Sequence, residues 1–243
     1  LGDGKPPVHI NRPQEIDDAR DTARNDIRKQ LNRRFRTGRR EAEVEAYDYS
    51  FQMAEKLIRR KDLFADFDPK QLERYGSHPL GRHILQSKRL IEAGVLFVQC
   101  HSYHWDTHGD NFNMHLDLVP QIDKPFAALV EDWHESGLLD NVLVLLMSEF
   151  GRTPKINQRL GRDHWPEAWS LCLAGCGMKR GLVLGETTPN GAWVDGTEYD
   201  IGHIFHTVFK AMDVDPLVTE YHNNDQPLPI AHDDCGVIEE LLA

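Results

Sequence analysis

Histidines and aspartates are crowded together between His101 and His115, in a segment that reads HSYHWDTHGDNFNMH. Imidazole nitrogens and carboxylate oxygens suit zinc, manganese and iron as ligands. Crowding carboxylates and imidazoles onto one loop is unfavourable unless a cation lies among them. The segment therefore predicts a metal site, and the alternative interpretation is a solvated loop that happens to be rich in histidine.

A second polar segment, SEFGRTPKINQRLGRDHWP at residues 148–166, follows the apolar run VLVLLM. It contributes two carboxylates and one histidine, which add to a carboxylate and a histidine of the first segment. The predicted metal ligands are Asp106, His108, Glu149, Asp163 and His164. This set is large enough for one complete metal site or two partial ones. Two metals about 3.5–4 Å apart would clamp a transferring phosphoryl or sulfuryl group and activate a nucleophile.

The same second segment also contains the cations Arg152, Lys155 and Arg162. The planar fork of arginine matches two oxygens of a phosphate or sulfate, so we predict Arg152 and Arg162 as anion contacts. The alternative is that these cations form ion pairs with Glu149 and Asp163. The two roles are compatible.

The apolar pattern predicts how the two segments meet. The runs VLFVQ at residues 95–99 and VLVLLM at residues 142–147 are typical of strands buried on both faces of a parallel sheet. A mostly helical stretch at residues 116–136, interrupted at Pro120 and Pro125, separates them. Such a crossover makes the strands parallel, and ligands of open α/β sheets bind where the strands end. We therefore predict an α/β fold with a mainly parallel sheet flanked by helices.

Helical periodicity accounts for most of the remaining chain. Helices are expected from about Pro13, at residues 41–60, at residues 79–93 and after Asp200, and a further strand at residues 169–174. We predict one domain overall, with an N-terminal helical part at residues 1–78 and an α/β core portion at residues 79–243.

Composition excludes several classes of partner. The formal net charge of −11 disfavours nucleic acid or an anionic membrane surface as the main partner. No apolar run is long enough to span a membrane, and the first residues lack the pattern of a signal peptide. The 4 cysteines are too few and too scattered for a disulfide scaffold.

Several motifs resemble those of the family called domain of unknown function 1501, which belongs with the sulfatase-like branch of the alkaline phosphatase superfamily. They are WDTHGDN, LLDNVLVLLMSEFGRTP, GRDHWP, LAGCGMKRGLVLGET and AMDVDP, and the resemblance covers residues 46–243. It implies an alkaline phosphatase or sulfatase-like fold, of which this chain looks like the C-terminal portion and is therefore N-terminally incomplete. It also implies export to the periplasm or cell surface, although the chain shows no export signal.

The resemblance assigns roles to the predicted ligands. Glu149 stands in the aspartate position of the superfamily's Ser-Asp-His-Gly motif, while Phe150 stands in the histidine position and cannot bind a metal. Asp106 and His108 resemble an earlier ligand pair, for which His104 with His108, or Asp106 with Asp110, are alternatives. His164 resembles the late histidine ligand, and Asp163 beside it is a candidate to replace the ligand lost at Phe150.

No nucleophile is assigned. The superfamily places its first aspartate ligand and a Ser, Thr or formylglycine nucleophile on and after the first sheet strand, and no such strand is predicted before Val95. Ser102, Ser148 and Thr153 lie near the predicted site, but their positions give no physical reason to choose one of them.

Residues and resemblance together predict a metal-dependent hydrolase of sulfate or phosphate esters. Zinc is the expected metal, with calcium or manganese as alternatives because the carboxylate share is high. The expected substrate is a small anionic ester or a sulfated glycan. One alternative is a catalytically inactive, sulfatase-like exported scaffold that binds a glycan or a protein partner, which Phe150 and the lack of a nucleophile strand favour. Another is a domain that a metal stabilises structurally.

Overall fold

The computed structural model describes residues 10–36, 41–223, 226–231 and 234–243, with only the backbone of residues 41–43 and 222. Residues 1–9 and 37–40, which belong to the predicted N-terminal helical part, lie outside the described residues. The chain divides into two compact units, Leu1–His101 and Ser102–Ala243. The division predicted at residue 78 remains a prediction.

The first unit is helical in its described part. Its helices are α1 (Asp18–Arg36), α2 (Glu41–Arg59), α3 (Pro69–Tyr75) and α4 (Pro79–Glu92), with a 3-10 turn at Lys61–Phe64. Both α3 and α4 begin with proline, whose fixed φ suits the first helical position. The side chains of Asp68 and His78 accept hydrogen bonds from the first-turn N–H groups of these helices. A small core of Ile10, Leu63, Phe64 and Leu90 holds the unit together.

Two long helices organise the second unit: α5 (Asn111–Glu135) and α6 (Ile201–Ala211). The predicted interruptions of α5 are wrong, because Pro120 and Pro125 both lie inside one continuous helix. The helix predicted after Asp200 is confirmed, and the side chain of Asp200 caps it by accepting hydrogen bonds from the N–H groups of Gly202 and His203. None of the helices in the described residues combines the length and apolar content needed to cross a bilayer.

Short strands form four ladders in the second unit. They are β1 (Val144–Leu146), β2 (Gly151–Arg152), β3 (His164–Trp165), β4 (Cys172–Ala174), β5 (Glu186–Thr187), β6 (Val194–Asp195), β7 (Glu220–Asn223) and β8 (Gln226–Pro229). The pairs are β1 with β4, β2 with β3, β5 with β6, and β7 with β8, and every pair is antiparallel.

The predicted α/β fold with a mainly parallel sheet is therefore wrong. In the described ranges the chain has six helices and only two-stranded antiparallel ladders. Residues 95–99 form no strand: Val95 and Val98 pack against the core of the first unit, while Leu96 and Phe97 are 92% and 80% exposed. The other apolar run forms β1, which pairs antiparallel with β4. An apolar run indicates burial but does not specify the partner strand, and here the inferred crossover does not form.

Candidate metal centre

Backbone hydrogen bonds join the two polar segments directly. The N–H groups of Asp110 and Asn111 donate to the carbonyl oxygens of Arg159 and Leu160, each at 3.0 Å. The N–H group of Arg162 donates to the carbonyl oxygen of Thr107 at 3.1 Å. The segments thus meet through antiparallel contacts and not, as predicted, at the edge of a parallel sheet.

Gly161 permits the close approach of these segments, and Gly151 permits a close approach within the β2–β3 hairpin. A Cβ atom on Gly161 would lie 2.1 Å from the carbonyl carbon and oxygen of His108. A Cβ atom on Gly151, in the β2–β3 ladder, would lie 2.1 Å from the carbonyl oxygen of Ala168. Since such distances are far inside van der Waals contact, any larger residue at either position would push the backbone apart.

Asn157 ties the two segments together with its side chain. Its Nδ2 donates to the carbonyl oxygen of His108 and to Oδ1 of Asp163, both at 3.1 Å. Its Oδ1 accepts from the N–H groups of Arg159 and Gly161 at 2.9 and 3.0 Å. Asn157 is not among the predicted site residues, although an asparagine close before a glycine is a known signal of a turn closed by its side chain.

Three of the predicted ligands converge. The Nε2 atoms of His108 and His164 lie 3.0 and 2.8 Å from Oδ1 of Asp106, and 3.2 Å from each other. Two ligands that each lie about 2.0–2.1 Å from a tetrahedral zinc are about 3.3 Å apart. We call Asp106, His108 and His164 the trio; its donor atoms are already spaced almost as a single ion would require.

Asp163 fixes the orientation of His108. Its Oδ1 lies 2.7 Å from Nδ1 of His108, at the ring nitrogen that does not face the trio. The hydrogen bonds from His108 and then Asn157 lower the pKa of Asp163. An ionised carboxylate only accepts hydrogen bonds, so Nδ1 of His108 carries a proton. Nε2 of His108 is then the ring nitrogen available to bind a cation beside Oδ1 of Asp106.

Asp106 is held as a carboxylate by its neighbours. Hydrogen bonds from His164 and then from Arg152 lower its pKa to about 2. Nη2 of Arg152 lies 2.6 Å from Oδ1 of Asp106 and also donates to the carbonyl oxygen of Trp105 at 3.1 Å. The side chain of Asp106 is 64% exposed, so the carboxylate is accessible from solvent as well as oriented.

The two predicted anion contacts are engaged within the protein. Besides Asp106, Arg152 donates to the carbonyl oxygen of Arg162 at 3.1 Å. Arg162 donates from Nη1 to the carbonyl oxygens of Thr153 and Pro154 at 2.6 and 2.7 Å. Both side chains therefore stabilise the turn around the site, and their predicted contact with a substrate anion remains a prediction.

The remaining predicted and alternative ligands lie outside the trio. Among the residues that the structure describes, the group of donor atoms within 4.8 Å of one another contains neither Glu149 nor Asp163, and neither His104 nor Asp110. Glu149 is exposed. The Phe150 ring packs on His164 with the ring centroids 4.3 Å apart, so this residue contacts a candidate ligand although it cannot be one.

A second group of donor atoms, from Asp200, His203 and Cys235, lies at the start of α6. Oδ1 of Asp200 lies 3.0 Å from Nδ1 of His203 and accepts from Sγ of Cys235 at 3.5 Å. Burial, and then the hydrogen bond to Asp200, raise the pKa of the Cys235 thiol to about 11. Because Asp200 caps the helix and the thiol stays protonated, the capping interaction accounts for this group.

The described residues define a mixed helical and antiparallel-β protein with a candidate centre of two histidines and one carboxylate. The chain belongs to the family "Protein of unknown function (DUF1501)", whose model matches residues 2–242. No curated protein and no solved structure matches the chain. The predicted family is therefore confirmed, whereas its placement in the sulfatase-like branch and the interpretation as a C-terminal portion remain predictions.

Proposed function

We propose that the trio binds one divalent metal ion and that the protein is a metal-dependent hydrolase of sulfate or phosphate esters. The observation that carries the proposal is the convergence of Oδ1 of Asp106 with the Nε2 atoms of His108 and His164, while Asp163 lies at Nδ1 of His108. That arrangement is stabilised by a cation, and two imidazoles with one carboxylate favour zinc over calcium, which prefers oxygen ligands.

Three protein ligands leave a coordination position open, as catalytic zinc sites do. A metal bound there would polarise an ester oxygen and lower the pKa of a water molecule. Arg152 holds the Asp106 oxygen, and Asp163 holds the proton on Nδ1 of His108. Phe150 covers one side of His164. Glu149 remains a predicted ligand outside the trio, and the position of Asp163 favours an orienting role.

Water is the proposed nucleophile, because the nearby hydroxyl groups are engaged in local turns. Oγ of Ser102 accepts from the Trp105 indole at 2.8 Å, and Oγ of Ser148 donates to the carbonyl oxygen of Phe150 at 3.0 Å. Oγ1 of Thr153 donates to the carbonyl oxygen of Lys155 and accepts from the Asp163 N–H group. In the overall reaction water adds to phosphorus or sulfur, the bond to the ester oxygen breaks, and the alcohol leaves with a proton.

The family resemblance is the basis for two further parts of the proposal. A small anionic ester or a sulfated glycan is the proposed substrate class, and the periplasm or the cell surface is the proposed location. The second candidate function is an inactive scaffold that binds a glycan or a protein, and the observation that favours it is Phe150 at a position where the resembling superfamily has a ligand.

Hydrolysis of aryl sulfates and aryl phosphates by the zinc-loaded protein tests the proposal. We expect turnover that a chelator abolishes and zinc restores, and that falls at least about 100-fold in His108→Ala and His164→Ala. His134→Ala, an exposed residue near the end of α5, is the matched control and keeps full activity. Stoichiometric metal without any turnover would support the scaffold, and turnover unaffected by chelator and by both variants would refute the metal site.

A further inference from the structure

We propose that Arg159, together with the amino-terminal end of α5, binds a tetrahedral oxyanion in the cleft beside the trio. The inference rests on the proposed hydrolase and names how its anionic substrate or product is held. An open cleft is lined by Asp106, His108, Gly109, Asp110, Met114 and Arg159. Two members of the trio and one guanidinium thus face the same space, which is the juxtaposition that an anionic ester bound to a metal requires.

Arg159 supplies the guanidinium group of this cleft, and this group forms no ion pair with another described residue. None of the ion pairs between described residues includes it, whereas Arg152 and Arg162 donate to a carboxylate and to backbone carbonyls. Its Nε and Nη2 atoms lie 3.5 Å from the position that a Cβ atom of Gly109 would occupy. The guanidinium therefore lies over the backbone next to His108 and remains exposed to solvent.

The backbone on both sides of the cleft is held in position. The N–H group of Arg159 donates to Oδ1 of Asn157 at 2.9 Å, and its carbonyl oxygen accepts from the N–H group of Asp110 at 3.0 Å. Leu160 and Asp110 both adopt left-handed conformations, with φ of 57° and 48°. An exposed leucine in this conformation is strained, and such strain is typical of segments that place a functional group.

The amino-terminal end of α5 adds positive potential to the same cleft. Asp110 precedes its first turn, where no side chain caps the N–H groups, and the N–H group of Asn111 donates to the carbonyl oxygen of Leu160. The dipole of a 25-residue helix favours an anion at this end. The Asp110 carboxylate, which accepts from Nδ2 of Asn113 at 2.7 Å, lies in the cleft and opposes an anion. Neutralising Asp110 should therefore strengthen the site that neutralising Arg159 weakens.

Calorimetric titration of inorganic sulfate and inorganic phosphate into zinc-loaded and metal-free protein tests this proposal. We measure both the zinc-loaded and the metal-free form. In whichever form binds the anion, we expect Arg159→Gln to weaken the anion affinity about tenfold or more, since a hydrogen bond to a charged group is lost. We expect Asp110→Asn, which tolerates the same left-handed conformation, to tighten it. Arg180→Gln removes the same charge from an exposed position outside the cleft and should leave the affinity unchanged. The anion that binds more tightly identifies the ester class.

Metal content, measured on the same samples, separates this proposal from the hydrolase. Absence of bound metal in the wild type would refute the metal centre, while a dependence of anion affinity on Arg159 in metal-free protein would still support the oxyanion site. Equal affinities of wild type and Arg159→Gln in both forms, or no anion binding in either, would overturn the proposal about Arg159.

Discussion

His108 is the side chain whose neighbours most completely determine its chemistry. Asp163 requires a proton on Nδ1, and Asp106 Oδ1 lies 3.0 Å from Nε2. A histidine that donates its second ring N–H to a carboxylate is a common arrangement in metal sites, where the carboxylate fixes the tautomer and makes the ring a better ligand. At the scale of single residues, the main question is therefore whether Asp163 binds the metal itself or only orients His108.

Asp163→Ala separates these two roles. If Asp163 orients His108, the variant keeps stoichiometric zinc but binds it about 10–100-fold more weakly, as is typical when an outer partner of a metal ligand is removed. Competition with a chromophoric chelator measures this affinity, with His134→Ala as the unaffected control. Loss of all zinc in Asp163→Ala, as complete as in His164→Ala, would instead make Asp163 a ligand, as the sequence alone predicts.

The sequence reveals which residues could be ligands, but it does not show which of them bind the metal and which orient a ligand. Asp106, His108 and His164 can be selected because histidine and aspartate are dense in two short motifs. The roles of Asn157 and Arg159 cannot be selected in this way, because they depend on the turn that brings residues 157–161 against His108. An asparagine close before a glycine indicates a local turn, but neither an asparagine nor an arginine in a polar segment indicates which other segment the turn contacts.

At the scale of elements, the site depends on two loops that touch without a shared sheet. Residues 105–111 and 157–164 are joined by backbone hydrogen bonds, by Asn157 and by the close approach at Gly161. Arg152, on the β2 strand, then reaches the Asp106 carboxylate. A substitution that separates these two loops should therefore also abolish metal binding.

Gly161→Ala tests this coupling. Its methyl group would lie 2.1 Å from the His108 carbonyl, so the loops must separate at a cost of about 3 kcal/mol or more, at the upper end of overpacking effects. We expect a lower free energy of unfolding in urea and loss of zinc binding. Gly236→Ala is the matched control, because a methyl group there meets no atom within 4 Å. Normal zinc affinity in Gly161→Ala would show that the site does not need this contact.

The cap of α6 gives a prediction that depends on pH. Burial tends to raise the pKa of Asp200, but the hydrogen bonds from His203, Cys235 and the Gly202 N–H group outweigh it and lower the pKa below its usual range. A carboxyl group whose pKa is lower in the folded than in the unfolded state stabilises the fold above its unfolded pKa. That contribution is lost as the pH falls through the folded pKa.

Asp200→Asn keeps a capping oxygen but removes the charge, so its stability does not follow this titration. We expect the wild type to be the more stable of the two at pH 7, and the difference between them to shrink as the pH falls below about 4. Asp200→Ala, which also removes the cap, should cost about 1 kcal/mol at neutral pH. Urea unfolding at pH 7 and pH 3 measures both effects, and a difference between wild type and Asp200→Asn that is independent of pH would contradict the account.

For the whole molecule, helices were predictable and the sheet was not. The α4 and α6 helices lie where their proline, glycine and aspartate signals place them. The largely apolar run at residues 95–99 predicts a buried strand, yet Leu96 and Phe97 face solvent. Pairing between distant strands depends on which backbone segments come together, and neither apolar run carries that information. The polar loops were expected to meet through a parallel sheet, and they meet through antiparallel contacts instead.

The net charge of −11 also matters at this scale, because an anion must approach an acidic protein. A divalent cation in the trio and the guanidinium of Arg159 would together offset the carboxylates of Asp106 and Asp110 in the cleft. The metal is thus the component on which the proposed chemistry depends most strongly.

The most direct test is the metal content of purified protein, dialysed after loading with zinc, for the wild type beside His164→Ala, Glu149→Ala and His134→Ala. The account predicts stoichiometric zinc in the wild type, none in His164→Ala because a ligand of the trio is gone, and zinc retained in Glu149→Ala and His134→Ala. A wild type that retains no divalent metal, or a His164→Ala variant that retains as much as the wild type, would contradict the proposed metal centre.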